Sequence, residues 1–82
     1  MNRPRIIDRI RAAFGPEERE LHFDDLARRI FPDSKSWRYA AHGGPPGCYM
    51  TLSAALRRHG IGERWDGPGQ RFVRRPKGAP HA

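Results

Sequence analysis

The sequence predicts a small α+β domain in which three or four short helices precede a C-terminal β-hairpin. Three observations predict it. Apolar residues recur three and four apart through the first sixty positions, the period of an amphipathic helix. Beyond Gly60 the pattern switches to alternation on both sides of an Asp66-Gly67-Pro68-Gly69 turn, the period of paired strands. At 82 residues the chain suits one domain, and a chain of this size buries only about 60% of its extended surface. That domain is expected over residues 1–76, with 77–82 as a flexible tail.

The first helix is expected over residues 4–14. Pro4 suits a first turn, and Ile6, Ile7, Ile10, Ala13 and Phe14 form one apolar stripe. Arg5, Arg9 and Arg11 fall off that stripe and read as a solvated face. Gly15-Pro16 is a stop signal, with glycine expected in the left-handed cap and proline unable to continue the ladder. Glu17 to Glu20 is a charged connector, and Leu21 is a candidate for a short strand. His22 then reads as the cap of a second helix, with Asp24 and Asp25 complementing the positive end of its dipole. Phe23, Leu26, Ala27 and Ile30 line its buried face, Arg28 and Arg29 point away, and Phe31-Pro32-Asp33 ends it.

Asp33 or Ser34 is placed to cap a short helix through Trp37-Arg38-Tyr39-Ala40-Ala41. Gly43-Gly44-Pro45-Pro46-Gly47 breaks the chain. From Cys48 to His59 the helical period returns. Tyr49, Leu52, Leu56 and His59 share a face with Ala55 in support, and Gly60 closes the helix. Met50, Thr51, Ser53, Ala54, Arg57 and Arg58 fall on the flanks and far side. In the hairpin, Ile61, Glu63 and Trp65 alternate, as do Gln70 to Arg75 around Phe72 and Val73. Trp65 and Phe72 are expected on the apolar underside, packed on the helices, and Pro76 ends the strand.

The formal charge is +7, and its placement is uneven. Residues 1–41 carry nine basic and seven acidic side chains, whereas residues 42–82 carry seven basic and two acidic ones. Arginine outnumbers lysine fourteen to two, a ratio that codon bias in a GC-rich genome explains. Codon bias does not explain why the acids stop. A cationic half points toward nucleic acid as partner.

Other classes receive little from the sequence. No apolar run approaches eighteen residues, so no membrane partner is expected. The N-terminal stretch has cations spread through it and no continuous apolar core, unlike a secretory signal. The single cysteine, Cys48, excludes an internal disulfide and suits a reducing compartment, so a cytoplasmic location is expected. His22, His42, Cys48 and His59 match no paired-ligand spacing, and no metal or other cofactor is expected. The Gly-Pro loop lacks the Gly-Lys-Ser/Thr ending of a nucleotide loop, and its prolines remove N–H donors. Cys48 has no identifiable orienting pair, and the acids at 17–25 are explained by a helix start. The chain is not expected to be an enzyme.

The order of elements resembles the winged helix-turn-helix DNA-binding superfamily. Residues 21–30, Leu-His-Phe-Asp-Asp-Leu-Ala-Arg-Arg-Ile, correspond to the scaffold helix. Residues 49–61, Tyr-Met-Thr-Leu-Ser-Ala-Ala-Leu-Arg-Arg-His-Gly-Ile, correspond to the recognition helix and its exit, and the hairpin from Glu63 to Arg75 to the wing. The resemblance covers most of the chain and specifies a topology, not a member family. One departure is the sixteen residues from Pro32 to Gly47, where the superfamily has a few. Either a short helix is inserted there, or Ser34–Ala41 is itself the scaffold helix.

The resemblance implies sequence-specific binding of double-stranded DNA by a small bacterial or phage transcriptional regulator, acting as a monomer or homodimer. Helix 48–59 would enter the major groove, with Thr51, Ser53, Ala54 and Arg57 toward base edges and Arg57 able to bond guanine bidentately. Arg64, Arg71, Arg74 and Arg75 of the wing would meet the backbone or minor groove, with Arg58 and Lys77 extending that footprint. Two alternatives remain open. One is a protein–protein adaptor on the same scaffold, with Arg28, Arg29, Arg57 and Arg58 as a solvated surface. The other binds RNA or single strands through the hairpin's aromatics and arginines.

Overall fold

The computed structural model describes residues 5–40 and 46–76. Helix α1 spans Ile6–Ala13 and buries Ile7 and Ile10. Its stop differs from the expectation. Phe14 turns the chain with extended backbone angles, and Gly15 is not among the glycines with positive φ. The Gly15 N–H instead donates to Glu18 Oε1 at 2.7 Å, and the Ala13 carbonyl at the helix end accepts from Arg29 Nη1 at 2.9 Å. The expected role of Pro4 lies outside the described residues.

Strand β1, Glu20–His22, runs directly into helix α2, Phe23–Ile30. His22 is the helix cap. Its Nδ1 accepts from the Asp24 N–H at 3.1 Å, which leaves Nε2 to donate to the Gly69 carbonyl at 3.0 Å. The same ring therefore ties the start of α2 to the tip of the hairpin. Phe23, Leu26, Ala27 and Ile30 are buried, the face that their spacing predicts.

The long connector holds a short helix, α3, Ser36–Ala40. Ser34 is its cap, its hydroxyl accepting from the Ser36 N–H at 3.2 Å; the expected extension to Ala41 lies outside the described residues. α3 follows α2, whose apolar face is in the core. It has a structural task, because helix α4, Gly47–Arg58, starts after Pro46 with no side-chain cap of its own. The Ser36 hydroxyl accepts from the Cys48 N–H at 3.3 Å and satisfies one of the orphan donors there.

α4 buries Cys48, Leu52, Ala55 and Leu56. His59 does not share that face: it is the exposed C-cap residue, because the chain is already leaving the helix. Gly60 takes φ +63, and the Gly60 and Ile61 N–H groups donate to the Arg57 and Leu56 carbonyls at 3.2 and 2.9 Å. This is a Schellman closure.

Strands β2, Glu63–Trp65, and β3, Arg71–Arg74, form the hairpin, and β1 adds a third antiparallel strand in the order β1-β3-β2. Val73 pairs with Leu21 on one side and Glu63 on the other. Leu21 and Val73 are buried, so they form the underside against the helices; Trp65 shares their face of the sheet but is not packed on the helices, and Phe72 is on the other face. The expectation for Phe72 fails on strand periodicity: neighbouring residues face opposite ways. Phe72 stands on the outer face, edge-on to His22 at 5.3 Å between centroids. Trp65 is 64% exposed.

The core gathers Ile10 and Phe14 of α1, the α2 face, Leu52, Ala55 and Leu56 of α4, and Leu21 and Val73 of the sheet. Two arginines expected on solvated faces serve it. Arg9 donates to the Ile30 carbonyl at the end of α2, and Arg29 donates to the Ala13 carbonyl at the end of α1. Each helix thus caps the other's negative end. Among the described residues the result is a small α+β fold, four helices and an open three-stranded sheet with a terminal hairpin, a shape broadly compatible with a winged-helix arrangement. Among the described residues no helix is long and apolar enough to cross a membrane.

Candidate nucleic-acid interface

The residues proposed from the sequence separate into three groups once folded. On α4, the buried face leaves Met50, Thr51, Arg57 and Arg58 exposed, with Ser53 and Ala54 half-buried between them. No acidic side chain occurs anywhere along this helix. Met50, Ala54 and Arg57 fall on one line of the helix surface, spaced four and three residues apart. They form one wall of a groove whose other side is Trp65 and Arg71 of the hairpin, with Phe23 and Tyr49 also lining it.

Arg71 belongs to that groove, yet it is committed to structure. Its Nη1 donates to the Ser53 hydroxyl at 2.9 Å and its Nε to Glu63. Its guanidinium lies over the Phe23 ring at 4.1 Å and over Trp65 at 5.4 Å. Ser53 is correspondingly occupied. Tyr49 fixes the opposite end of the groove. Its ring packs edge-on against Phe23 and Trp37, and its hydroxyl donates to Asp24 Oδ1 at 2.8 Å. Burial first, and the Asp24 carboxylate second, push its phenol up to about 12.

Arg64 and Arg74 lie elsewhere. The register Arg64↔Phe72 and Trp65↔Arg71 puts Arg64 on the outer face of the sheet, where its guanidinium covers Phe72 at 4.5 Å. It also grips both oxygens of Glu20, at 2.7 and 3.2 Å. That bond holds the Glu20 carboxyl below its ordinary range and raises Arg64 in turn. Arg74 is exposed on the same outer face, opposite Glu20 in the strand register. Arg75 donates from Nη1 to the Gly15 and Pro16 carbonyls at 3.2 and 3.0 Å, locking the strand end to the α1 exit. Strand alternation therefore divides the hairpin cations between two faces, with Arg71 beside α4 and Arg64 and Arg74 away from it. Lys77 lies outside the described residues.

Two groove residues escaped the sequence reading. Met50, 75% exposed, was legible as a far-side position but carries no charge to draw attention. Trp65 lies on the expected face of the hairpin but is exposed there and not packed on the helices. The signal that finds it is the closing pair of the hairpin, Trp65↔Arg71, which sets it beside an arginine on the α4 side. Trp65 and Phe72 do not form one stacking platform, because they occupy opposite faces of the sheet. Among the described residues no three His, Cys, Asp or Glu side chains gather as metal ligands; His42 lies outside them. No protein-family model, curated protein or solved structure matches this chain.

Proposed function

We propose that this chain binds double-stranded DNA as a small winged-helix transcriptional regulator, with α4 entering the major groove. The observation that carries the reading is the outer face of α4. It is exposed, free of carboxylates and bears two guanidiniums, while its opposite face is held in the core. The major groove, about 12 Å wide, admits a helix presented in this way. From Met50 to Arg57 the helix rises roughly 10 Å, the span of about three base pairs. Arg57 suits guanine O6 and N7, and Ala54 and Met50 suit the thymine methyl. Thr51 and Arg58 flank that line and meet phosphates. Ser53 and Arg71 act by positioning, since their mutual bond ties the helix to the wing.

Selection from a random duplex library at low salt tests this reading. Enrichment of a defined site is expected, with loss of enrichment in Arg57→Ala. One observation favours a second reading, a protein partner: the apolar groove between α4 and the hairpin, rimmed by exposed Met50 and Trp65. Exposed apolar patches mark association surfaces. A library that shows no enrichment would shift the function to that groove.

A further inference from the structure

A second concavity sits at the base of the hairpin, on residues that the α4 groove does not share. It is lined by Arg11 of α1, His59 at the end of α4, and Arg74 and Arg75 at the end of β3, with Gly60 and Gly62 between them. Three separate segments thus bring three guanidiniums and an imidazole to one place. No carboxylate is in the lining.

The neighbouring acids neutralise this cluster only in part. Asp8 forms an ion pair with Arg11 Nη1 at 3.6 Å, beyond hydrogen-bond distance, and is half exposed to water. Glu20 faces Arg74 across the strand register, but both its oxygens are taken by Arg64. Arg11 Nε is buried without a hydrogen-bond partner among the described residues, and such an orphaned donor costs free energy unless something accepts from it. Arg75 is pre-oriented by its bonds to the Gly15 and Pro16 carbonyls. Arg74 lies flat against Gly62, where an added Cβ would meet its Cδ at 3.4 Å.

We propose that this concavity is a binding site for a phosphate-type oxyanion, with Arg11, Arg74 and Arg75 as its principal donors and His59 at its rim. Guanidinium forks match the geometry of phosphate oxygens, and an anion here would relieve the crowding of like charges. The oxyanion is either a free phosphate species or the phosphodiester of a nucleic-acid backbone. The site does not depend on α4 reading DNA.

The test uses inorganic pyrophosphate on the full chain, with ionic strength held constant by sodium chloride. A saturable rise in Tm is expected, on the order of 5–10 °C at ten times Kd. The Arg11 Nε–Hε cross-peak in a nitrogen–proton correlation spectrum should shift with the same Kd. Arg11→Gln and Arg74→Gln should each remove the stabilisation while melting cooperatively without anion. His59→Ala, at an exposed position, provides an independent variant and should weaken it several-fold. No gain over sodium chloride, an unmoved Arg11 cross-peak, or full stabilisation retained in both arginine variants would overturn the site. Competition against a short labelled duplex separates the sources. Displacement by pyrophosphate together with weaker duplex binding in Arg11→Gln identifies a backbone phosphate. Unchanged duplex binding with the stabilisation intact identifies a free oxyanion.

Discussion

Arg71 of the hairpin donates to the Ser53 hydroxyl of α4 at 2.9 Å, so the proposed recognition helix and its wing are joined directly rather than only through the core. The same guanidinium pairs with Glu63, and the two side chains are 19% and 21% exposed. Arg71→Ala leaves that carboxylate half-buried without its partner and uncovers Phe23. A loss of about 1–3 kcal/mol is expected in urea unfolding. Ser53→Ala removes one bond and should cost about 0.5–1.5 kcal/mol. In a double-mutant cycle the two losses should not add.

Gly60 closes α4 at φ +63 with open space where a Cβ would be, so its requirement is conformational and not steric crowding. Gly60→Ala should destabilise by about 1–2 kcal/mol. Thermal melting should register this as a fall of roughly 4–8 °C for each kcal/mol.

The acid limb of stability is set on the surface. The hydrogen bond from Arg29, then that from the Gly15 N–H, lowers the Glu18 carboxyl below its ordinary 4.5, and Arg64 does the same for Glu20. A carboxyl depressed in the folded state contributes stability above its unfolded pKa. That contribution fades as pH falls below about 4.5 through the folded value. Urea midpoints measured from pH 6 downward should therefore drop less steeply in Glu18→Gln and Glu20→Gln than in the parent.

Tyr49 works in the opposite direction. Its phenol is raised from 10.0 to about 12, so the neutral form is favoured by folding. Its contribution is complete below pH 10 and is lost as pH rises from there toward about 12. The ultraviolet tyrosinate titration should show one late-ionising tyrosine. Tyr49→Phe should remove that transition, and Asp24→Asn should shift it downward.

On DNA, the α4 side chains should separate by role. Arg57→Ala should cost about 1–3 kcal/mol on the selected site and relax preference at one base pair. Arg58→Ala should weaken all sequences alike and reduce the salt slope by about 1. Replacing thymine by uracil in the selected site removes the methyl group that Met50 and Ala54 would meet, with an expected loss of about fourfold per buried methyl. Met50→Gln should be insensitive to that replacement; Met50→Leu should keep it.

Much of the fold was legible because period and punctuation agree with packing. The α2 face, the far side of α4, the Gly60 closure and the hairpin turn all follow from residue spacing. β1 was legible only as Leu21, since a strand of three residues is too short to display alternation. The cations were less legible. Arg9, Arg29 and Arg71 all fall on polar positions of their elements, yet each is bonded to a group 16 to 21 residues away in the chain. Such partners are set by tertiary packing, which single-element periodicity does not contain. The split of the hairpin arginines between two faces follows from strand register, and a closing pair at Trp65 and Arg71 is sufficient to derive it.

The salt dependence of duplex binding tests the central claim most directly. With Arg58 and the remaining outward cations making about three to five phosphate contacts, log Kd should vary with log salt concentration with a slope near 3 to 5. Exposed Trp65 supplies an intrinsic fluorescence signal at the proposed interface. A flat titration against duplex DNA at low salt, or a slope near zero, would contradict the assignment of α4 as a DNA-binding helix.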